Sequence, residues 1–338
     1  MIRLSPKTRG HLCGAAMNEL DPVTQKYDAW LHWNIASACN LKCVYCYRNI
    51  RVRNNEPVSV AEVHTPLWRK LVSTPKIGAR ALMQKFRISI YEKYGRVAPI
   101  NIPALMRSLE KTEKTFRIGF AGSGEPFLTP NLVEVCAELT KKHFVSLITN
   151  LITCRTAEFA ERINPRRVVR IVASLHIKEL ERLNLTDKYL DVYHLYRSKG
   201  FRIAAKEVAY PALRDEARKY LRYFNERGVA LCFVPFRGYY NEKLYPESYT
   251  SEEFQLFGLT KPYGEIFGTK GKTCNAGYSA GVVSRAGDIS PCYQMDGEMG
   301  NIYGSIRFRD KLTVCPFSFC SMPVLRSPDV PLGIPGDI

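Results

Sequence analysis

A parallel α/β sheet or barrel is the fold class that this 338-residue sequence predicts. Two observations predict it. Six short apolar runs have the length of strands and are mostly rich in Val, Ile and Phe. Segments with helical periodicity separate most of them, and strand–helix alternation leads to parallel strands joined by crossover helices.

The runs, in order, are residues 29–36 (AWLHWNIA), 116–121 (FRIGFA), 144–149 (FVSLIT), 168–173 (VVRIVA), 201–208 (FRIAAKEV) and 229–234 (VALCFV). Several alternate apolar with polar residues, as half-buried strands do. Residues 132–142 and 212–227 carry helical periodicity, and the second of these stops at Gly228, a natural C-cap residue.

One interval exceeds a single crossover. From about residue 48 to 115 lies a basic insertion with Lys76, Arg80, Lys85, Arg87, Lys93 and Arg96. Pro66, Pro75, Pro99 and Pro103 divide it into short helices. It reads either as a substrate-binding lid or as a solvated helical excursion. After Phe236 the chain is aromatic and loop-like to Tyr249, and Thr250 with Glu253 forms a capping box opening a short helix. Beyond Gly268 come turn-rich residues, a hairpin expected around Ala286-Gly287-Asp288, and four more cysteines. The tail from Ser327 to Ile338 is rich in Pro and Gly.

Hydrophobic residues make up 46% and charged residues 24%, an ordinary globular balance. The first residues lack an apolar segment of signal-peptide length, and no window holds 18 unbroken apolar residues. A cytoplasmic protein without a membrane span is expected. Eleven cysteines are odd in number and too few for a disulfide scaffold, so metal or redox chemistry is the expectation. The net charge of +17 suits a polyanionic partner: nucleic acid, an acidic peptide or a phosphorylated substrate. The charge is spread along the chain, so a solvated basic surface is the competing reading.

Three cysteines fall within eight residues directly after the first strand, in SACNLKCVYCY. Loops after strand C-termini build the active sites of parallel barrels. A structural zinc site wants four protein ligands, commonly as two C-x-x-C pairs. Here Cys39, Cys43 and Cys46 are spaced three residues and then two, with no fourth ligand nearby. Three thiolates can hold three irons of a 4Fe–4S cluster and leave the fourth iron open. The competing readings are incidental cysteines or a zinc loop.

With Tyr45 before its last cysteine, this stretch resembles the C-x-x-x-C-x-Φ-C signature of the radical SAM superfamily, in which Φ is aromatic. The resemblance continues. The second strand runs into Ser123-Gly124-Glu125, similar to the family's Gly-Gly-Glu motif with serine at its first position. The third ends at Thr149-Asn150, similar to Thr-Asn-Gly with Leu151 replacing the glycine. It implies that S-adenosylmethionine chelates the open iron, meets backbone groups of residues 123–125 and lies near Asn150 and Ser174. It also implies Lys206 as a partner for the methionine carboxylate and Tyr45 as a wall of the adenine pocket. The implied reaction is reductive cleavage to a 5′-deoxyadenosyl radical that abstracts a substrate hydrogen. An electron donor such as flavodoxin or ferredoxin is then a partner.

Cys274, Cys292, Cys315 and Cys320 form a second set. Four thiolates close together make a closed site for zinc or a fully ligated cluster. Cys274, twelve residues, Gly287, four residues, Cys292 resembles the SPASM and twitch extensions of radical SAM enzymes. Four cysteines match the shorter twitch type, which implies one auxiliary 4Fe–4S cluster; a zinc knuckle is the alternative. Of the remaining cysteines, Cys136 and Cys232 read as core.

The resemblance therefore implies a partial (β/α)6 TIM-like barrel over residues 28–240, after an N-terminal extension (1–27). A linker helix region (241–268), a twitch-type domain with a β-hairpin (269–325) and an irregular tail (326–338) follow. The first functional expectation is a peptide or protein maturase acting on an acidic substrate. The short stretch before the first strand argues against a separate leader-binding domain. A small-molecule dehydrogenase or carbon-skeleton enzyme is the second expectation, and a zinc-bearing nucleic-acid-binding protein comes from another class.

Overall fold

The computed structural model describes residues 27–36, 38–46, 52–53, 56–57, 99–122, 124–259, 269–295, 297–318 and 320. Ser123, the N-terminal extension up to residue 26, most of the basic insertion, the last third of the linker region and the tail lie outside the described residues.

Each of the six apolar runs is a strand: β1 (Ala29–Ala36), β2 (Phe116–Gly122), β3 (Phe144–Thr149), β4 (Val168–Ser174), β5 (Ile203–Ala209) and β6 (Leu231–Pro235). They pair in parallel in chain order, so each crossover returns the chain beside the strand it just left. Among the described residues, six helices lie between these strands: α1 (Ile102–Glu110), α2 (Leu132–Lys142), α3 (Arg155–Arg162), α4 (Ile177–Leu183), α5 (Thr186–Ser198) and α6 (Ala217–Glu226). The seventh, α7 (Ser251–Phe257), opens on the expected capping box of Thr250 and Glu253. No helix among the described residues is long and apolar enough to cross a membrane.

Alternation assigns the two faces of the sheet. Leu31, Trp33 and Ile35 of β1, with Phe116, Ile118 and Phe120 of β2, are buried in the main core with the helices. Burying a side chain of this size contributes about 2 kcal/mol. Trp30, His32, Arg117, Ser146 and Arg170 point to the other, inner face, where they line one cavity. α2 supplies the helical side of the core with Leu132, Val135, Cys136 and Leu139, spaced at three and four residues.

Three details depart from the sequence reading. The segment from Ala212 begins with a 3-10 turn at Pro211–Leu213, and α6 starts only at Ala217. Residues 236–249 contain a two-stranded hairpin, β7 (Gly238–Tyr240) with β8 (Lys243–Tyr245). Asn241 and Glu242 turn it with φ of 46° and 62°, the left-handed pair that matches hairpin twist.

The third departure concerns the C-terminal region. β9 (Thr273–Cys274) pairs with β12 (Thr313–Val314), and β10 (Ala280–Val283) forms the expected hairpin with β11 (Ile289–Ser290). Gly287 turns that hairpin at φ 96°, where an added Cβ would press on the Tyr303 ring at 2.9 Å. β10 also pairs in parallel with β1, Trp30 opposite Ala280. The sheet is thus eight-stranded and open, in the order β11-β10-β1-β2-β3-β4-β5-β6, with no closed barrel among the described residues.

Candidate functional site

The three-cysteine loop leaves the C-terminal end of β1 and crosses the C-terminal edge of the parallel strands. Gly124 makes this crossing possible. A Cβ there would sit 2.1 Å from the Ala38 carbonyl oxygen, so only glycine lets the two backbones meet. The Glu125 N–H then donates to the Ala38 carbonyl at 2.8 Å, one residue before Cys39.

Side chains from the next three strand ends hold the rest of the loop. The Asn150 amide donates to Asn40 Oδ1 at 2.7 Å. Glu179, in the first turn of α4, accepts from the Lys42 N–H at 2.8 Å and is itself gripped by both arms of Arg182 at 2.9 Å. The Tyr45 hydroxyl donates to Glu207 Oε1 at 2.7 Å and lies 3.1 Å from His176 Nδ1. The Tyr45 ring stacks against His176 and tilts against Tyr210, so the structure shows this residue as the loop's anchor.

Glu125 is the strut beneath. Its carboxylate accepts from Thr149 Oγ1 at 2.7 Å, from the Asn150 N–H at 2.8 Å and from the Phe127 N–H at 3.1 Å. Burial outweighs these three bonds and lifts its pKa to about 7. Glu207 behaves alike: burial raises it to about 7 against bonds from the Ile177 N–H, Tyr45 and the Val208 N–H. Burial pushes His176 down to about 4, so its ring is neutral.

Ser174 and Lys206 are in register on neighbouring strands, and Cys232 pairs with Lys206 on the next. In a parallel ladder such partners share a face, here the inner one. Cys136 is buried in the main core as expected, whereas Cys232, expected there too, is buried on the inner face and outside that core cluster. Asn150, Glu125 and Gly124 meet the cysteine loop directly, whereas Ser174 ends β4 and Lys206 lies in the middle of β5, both on the inner face.

Cys43 is buried, while Cys39 and Cys46 are partly exposed. The Cys43 thiol is pushed well up by burial, then by Cys39, Glu207, Glu179 and Cys46.

The second set also assembles. The β9–β12 pair sets Cys274 beside the strand that precedes Cys315. Cys292 and Cys320 pack with Cys274 around Ala276, Ala280 and Val282. The Ala276 N–H points at Cys274 Sγ and the Gln294 N–H at Cys292 Sγ, each at 3.4 Å. Backbone N–H groups aimed at sulfur favour a metal-bound thiolate. Among the described residues, no three His, Cys, Asp or Glu side chains converge as a single-ion site. A cluster places each thiolate on a separate iron and needs no such convergence.

Sequence reasoning missed Asn40, His176, Glu179, Glu207 and Tyr293. Tyr293 follows Cys292 and accepts from the Asn34 amide at 2.5 Å, its ring edge-on to His32. Glu207 carried a faint signal. It neighbours Lys206 on β5, so it must face the apolar side, where a carboxylate needs a reason.

No protein-family model matches the chain. Over 198 residues it is 26% identical to the FeMo cofactor biosynthesis protein NifB of Azotobacter vinelandii, a match taking in 57% of this chain. It spans only 37% of that protein's length. Among solved structures, it is similar to anSMEcpe with bound AdoMet and the Cp18Cys peptide, at 19% identity and TM-score 0.49, covering 81% of this chain and 77% of that one. It is also similar to SuiB of Streptococcus suis bound to the precursor peptide SuiA, at 14% identity and TM-score 0.48, covering 90% of this chain and 69% of that one.

Parallel strands in chain order with a three-thiol loop on their C-terminal edge are the arrangement that the cysteine motif led one to expect.

Proposed function

We propose that Cys39, Cys43 and Cys46 hold a 4Fe–4S cluster whose open iron takes S-adenosylmethionine, and that the enzyme modifies an acidic peptide or protein. The observation that carries this reading is the loop itself: three thiols pinned over four consecutive strand ends through Gly124, Asn150, Glu179 and Glu207. The bound group would supply a 5′-deoxyadenosyl radical that takes a hydrogen atom from the substrate.

The chain's own residues do the positioning. Glu125 and Asn150 fix the loop relative to β2 and β3, while Tyr45 and Glu207 fix it relative to β5. Lys206 and Ser174 face inward on neighbouring strands, where a cation and a hydroxyl would suit the carboxylate and ribose of the cofactor. Cys274, Cys292, Cys315 and Cys320 hold one auxiliary cluster. The charge of +17 supports an acidic substrate, and Arg214, Arg218, Lys219, Arg222 and Arg227 stand exposed around α6.

The test is anaerobic incubation of the reconstituted chain with S-adenosylmethionine and dithionite. Wild type forms 5′-deoxyadenosine and Cys43→Ala does not. A colourless, zinc-loaded protein after reconstitution refutes the reading.

A further inference from the structure

Two loops of the second cysteine set are built alike. One is Cys274-Asn275-Ala276-Gly277 and the other is Cys292-Tyr293-Gln294-Met295. In each, the N–H of the third residue points at the thiol of the first, at 3.4 Å. Cys274 and Cys292 pack together on Ala276, Ala280 and Val282. The fourth residues of the two loops, Gly277 and Met295, are both met by a single later side chain, Arg309.

The backbone places Arg309. Its N–H donates to the Gly277 carbonyl at 2.7 Å. Its stem then crosses Gly277, where a Cβ would lie 3.0 Å from Arg309 Cδ and Nε and 3.4 Å from Cγ. A residue without a side chain leaves that path open. The guanidinium continues to the second loop. There Nη1 donates to Met295 Sδ at 3.4 Å, and Nη2 lies 3.7 Å from the position of a Cβ on Gly297. The Arg309 charge reaches the Cys274 thiol.

The side chain is poorly suited to be a structural pin. The backbone bond to Gly277 is available to any residue at 309 except proline, a thioether is a weak acceptor, and Arg309 is exposed. What the side chain alone supplies is a permanent positive charge laid along two cysteine loops. Net charge and N–H groups aimed at sulfur are levers on the reduction potential of a thiolate-bound cluster. Each added electron makes such a group more negative, so a neighbouring cation favours the reduced form.

On the reading that Cys274, Cys292, Cys315 and Cys320 hold one auxiliary cluster, we propose that Arg309 is a positioning residue whose charge, held across the Cys274 and Cys292 loops, raises the reduction potential of that cluster. The auxiliary cluster is thereby a better electron acceptor than the same four thiolates would make it beside a neutral side chain.

The test is a redox titration of the full chain, reconstituted anaerobically and reduced stepwise with dithionite. Electron paramagnetic resonance counts the reduced form of each cluster. Arg309→Met keeps the stem and removes the charge, and Arg309→Lys keeps the charge. At the potential where the wild-type auxiliary cluster is half reduced, its reduced-to-oxidised ratio in Arg309→Met should fall about tenfold, which is about 59 mV for one electron. Solvent screens an exposed charge and keeps the shift from being larger. Arg309→Lys should recover most of it, and the first cluster should titrate as in wild type. Iron should stay at about eight per chain throughout.

An Arg309→Met protein with full iron and an unmoved midpoint would overturn the proposal alone. So would Arg309→Lys shifted as far as Arg309→Met. Arg309→Gln is a second neutral variant; loss of iron from both neutral variants overturns the proposal too, because a residue that only tunes the potential leaves the thiolates in place. About four irons per chain in wild type would remove the auxiliary cluster itself, and the proposal with it.

Discussion

Replacing Gly124 with alanine should dismantle the cysteine loop without touching a single cysteine. The new Cβ would lie 2.1 Å from the Ala38 oxygen, 2.8 Å from its carbonyl carbon and 2.9 Å from its nitrogen. All three are backbone atoms, so no side chain can swing aside. An ordinary carbon–oxygen contact is about 3.3 Å, so the strands must part by roughly 1 Å. Parting breaks the Glu125 N–H bond to Ala38, worth about 1 kcal/mol. Overpacking adds about 2 kcal/mol more. The total of about 3 kcal/mol predicts a fall in Tm of about 5 °C or more. Cluster loading should fall further than stability does, because metal sites tolerate displacements of only about 0.2 Å. The assay pairs iron content and the absorbance near 400 nm after anaerobic reconstitution (roughly where thiolate-ligated clusters absorb) with thermal unfolding. Gly200→Ala is the control: its φ is +83° but no atom lies within 4 Å, so it strains the backbone without displacing the loop. A Gly124→Ala protein with wild-type iron and wild-type Tm would refute the crossing as the device that seats the loop.

Three further outcomes are expected. Tyr45→Phe and Glu207→Leu each remove the same 2.7 Å bond, so a double-mutant cycle in urea should show coupling of about 1–2 kcal/mol; additive effects would deny the anchor. Cys274→Ser should cut iron from about eight to about four per chain and leave the absorbance of the first cluster in place; unchanged iron would remove the auxiliary cluster. His143 is fully buried and its pKa is lowered to about 4, by burial, then Lys142 and Arg167. Its folded pKa lies below the unfolded 6.5, so the stability it contributes is present above pH 6.5 and lost as pH falls towards 4. The loss approaches roughly 3 kcal/mol; His143→Gln should shift acid unfolding to lower pH, and an unshifted midpoint would contradict this.

The strands were legible because their apolar character is local. All six runs became strands, with ends moved by a residue or two, as from Phe201 to Ile203. The helix expected from Ala212 starts late because Pro211 opens a separate 3-10 turn, a competition between local conformations that periodicity does not register. The β7–β8 hairpin escaped notice because Asn241-Glu242 is not the usual Asn-Gly turn signal. Pairing of β10 with β1 joins residues 250 positions apart and leaves no local trace. At the site, Cys39, Cys43 and Cys46 announced themselves by spacing. Glu179 and Glu207 did not, since each acts on the loop only through tertiary contact. Gly124 was visible as part of a motif, but its reason, a backbone crossing at Ala38, belongs to three dimensions.

The seam between β10 and β1 has a consequence for handling the protein. β1 is otherwise the outermost of the six parallel strands, and β10 covers its free row of N–H and C=O groups. A shortened chain lacking residues 269–338 would lose more than its second set of cysteines. It would present an eight-residue apolar strand, AWLHWNIA, with one edge bare. Such an edge recruits the same strand from another molecule. The truncated protein should therefore precipitate or associate edge to edge before any question of its chemistry can be asked.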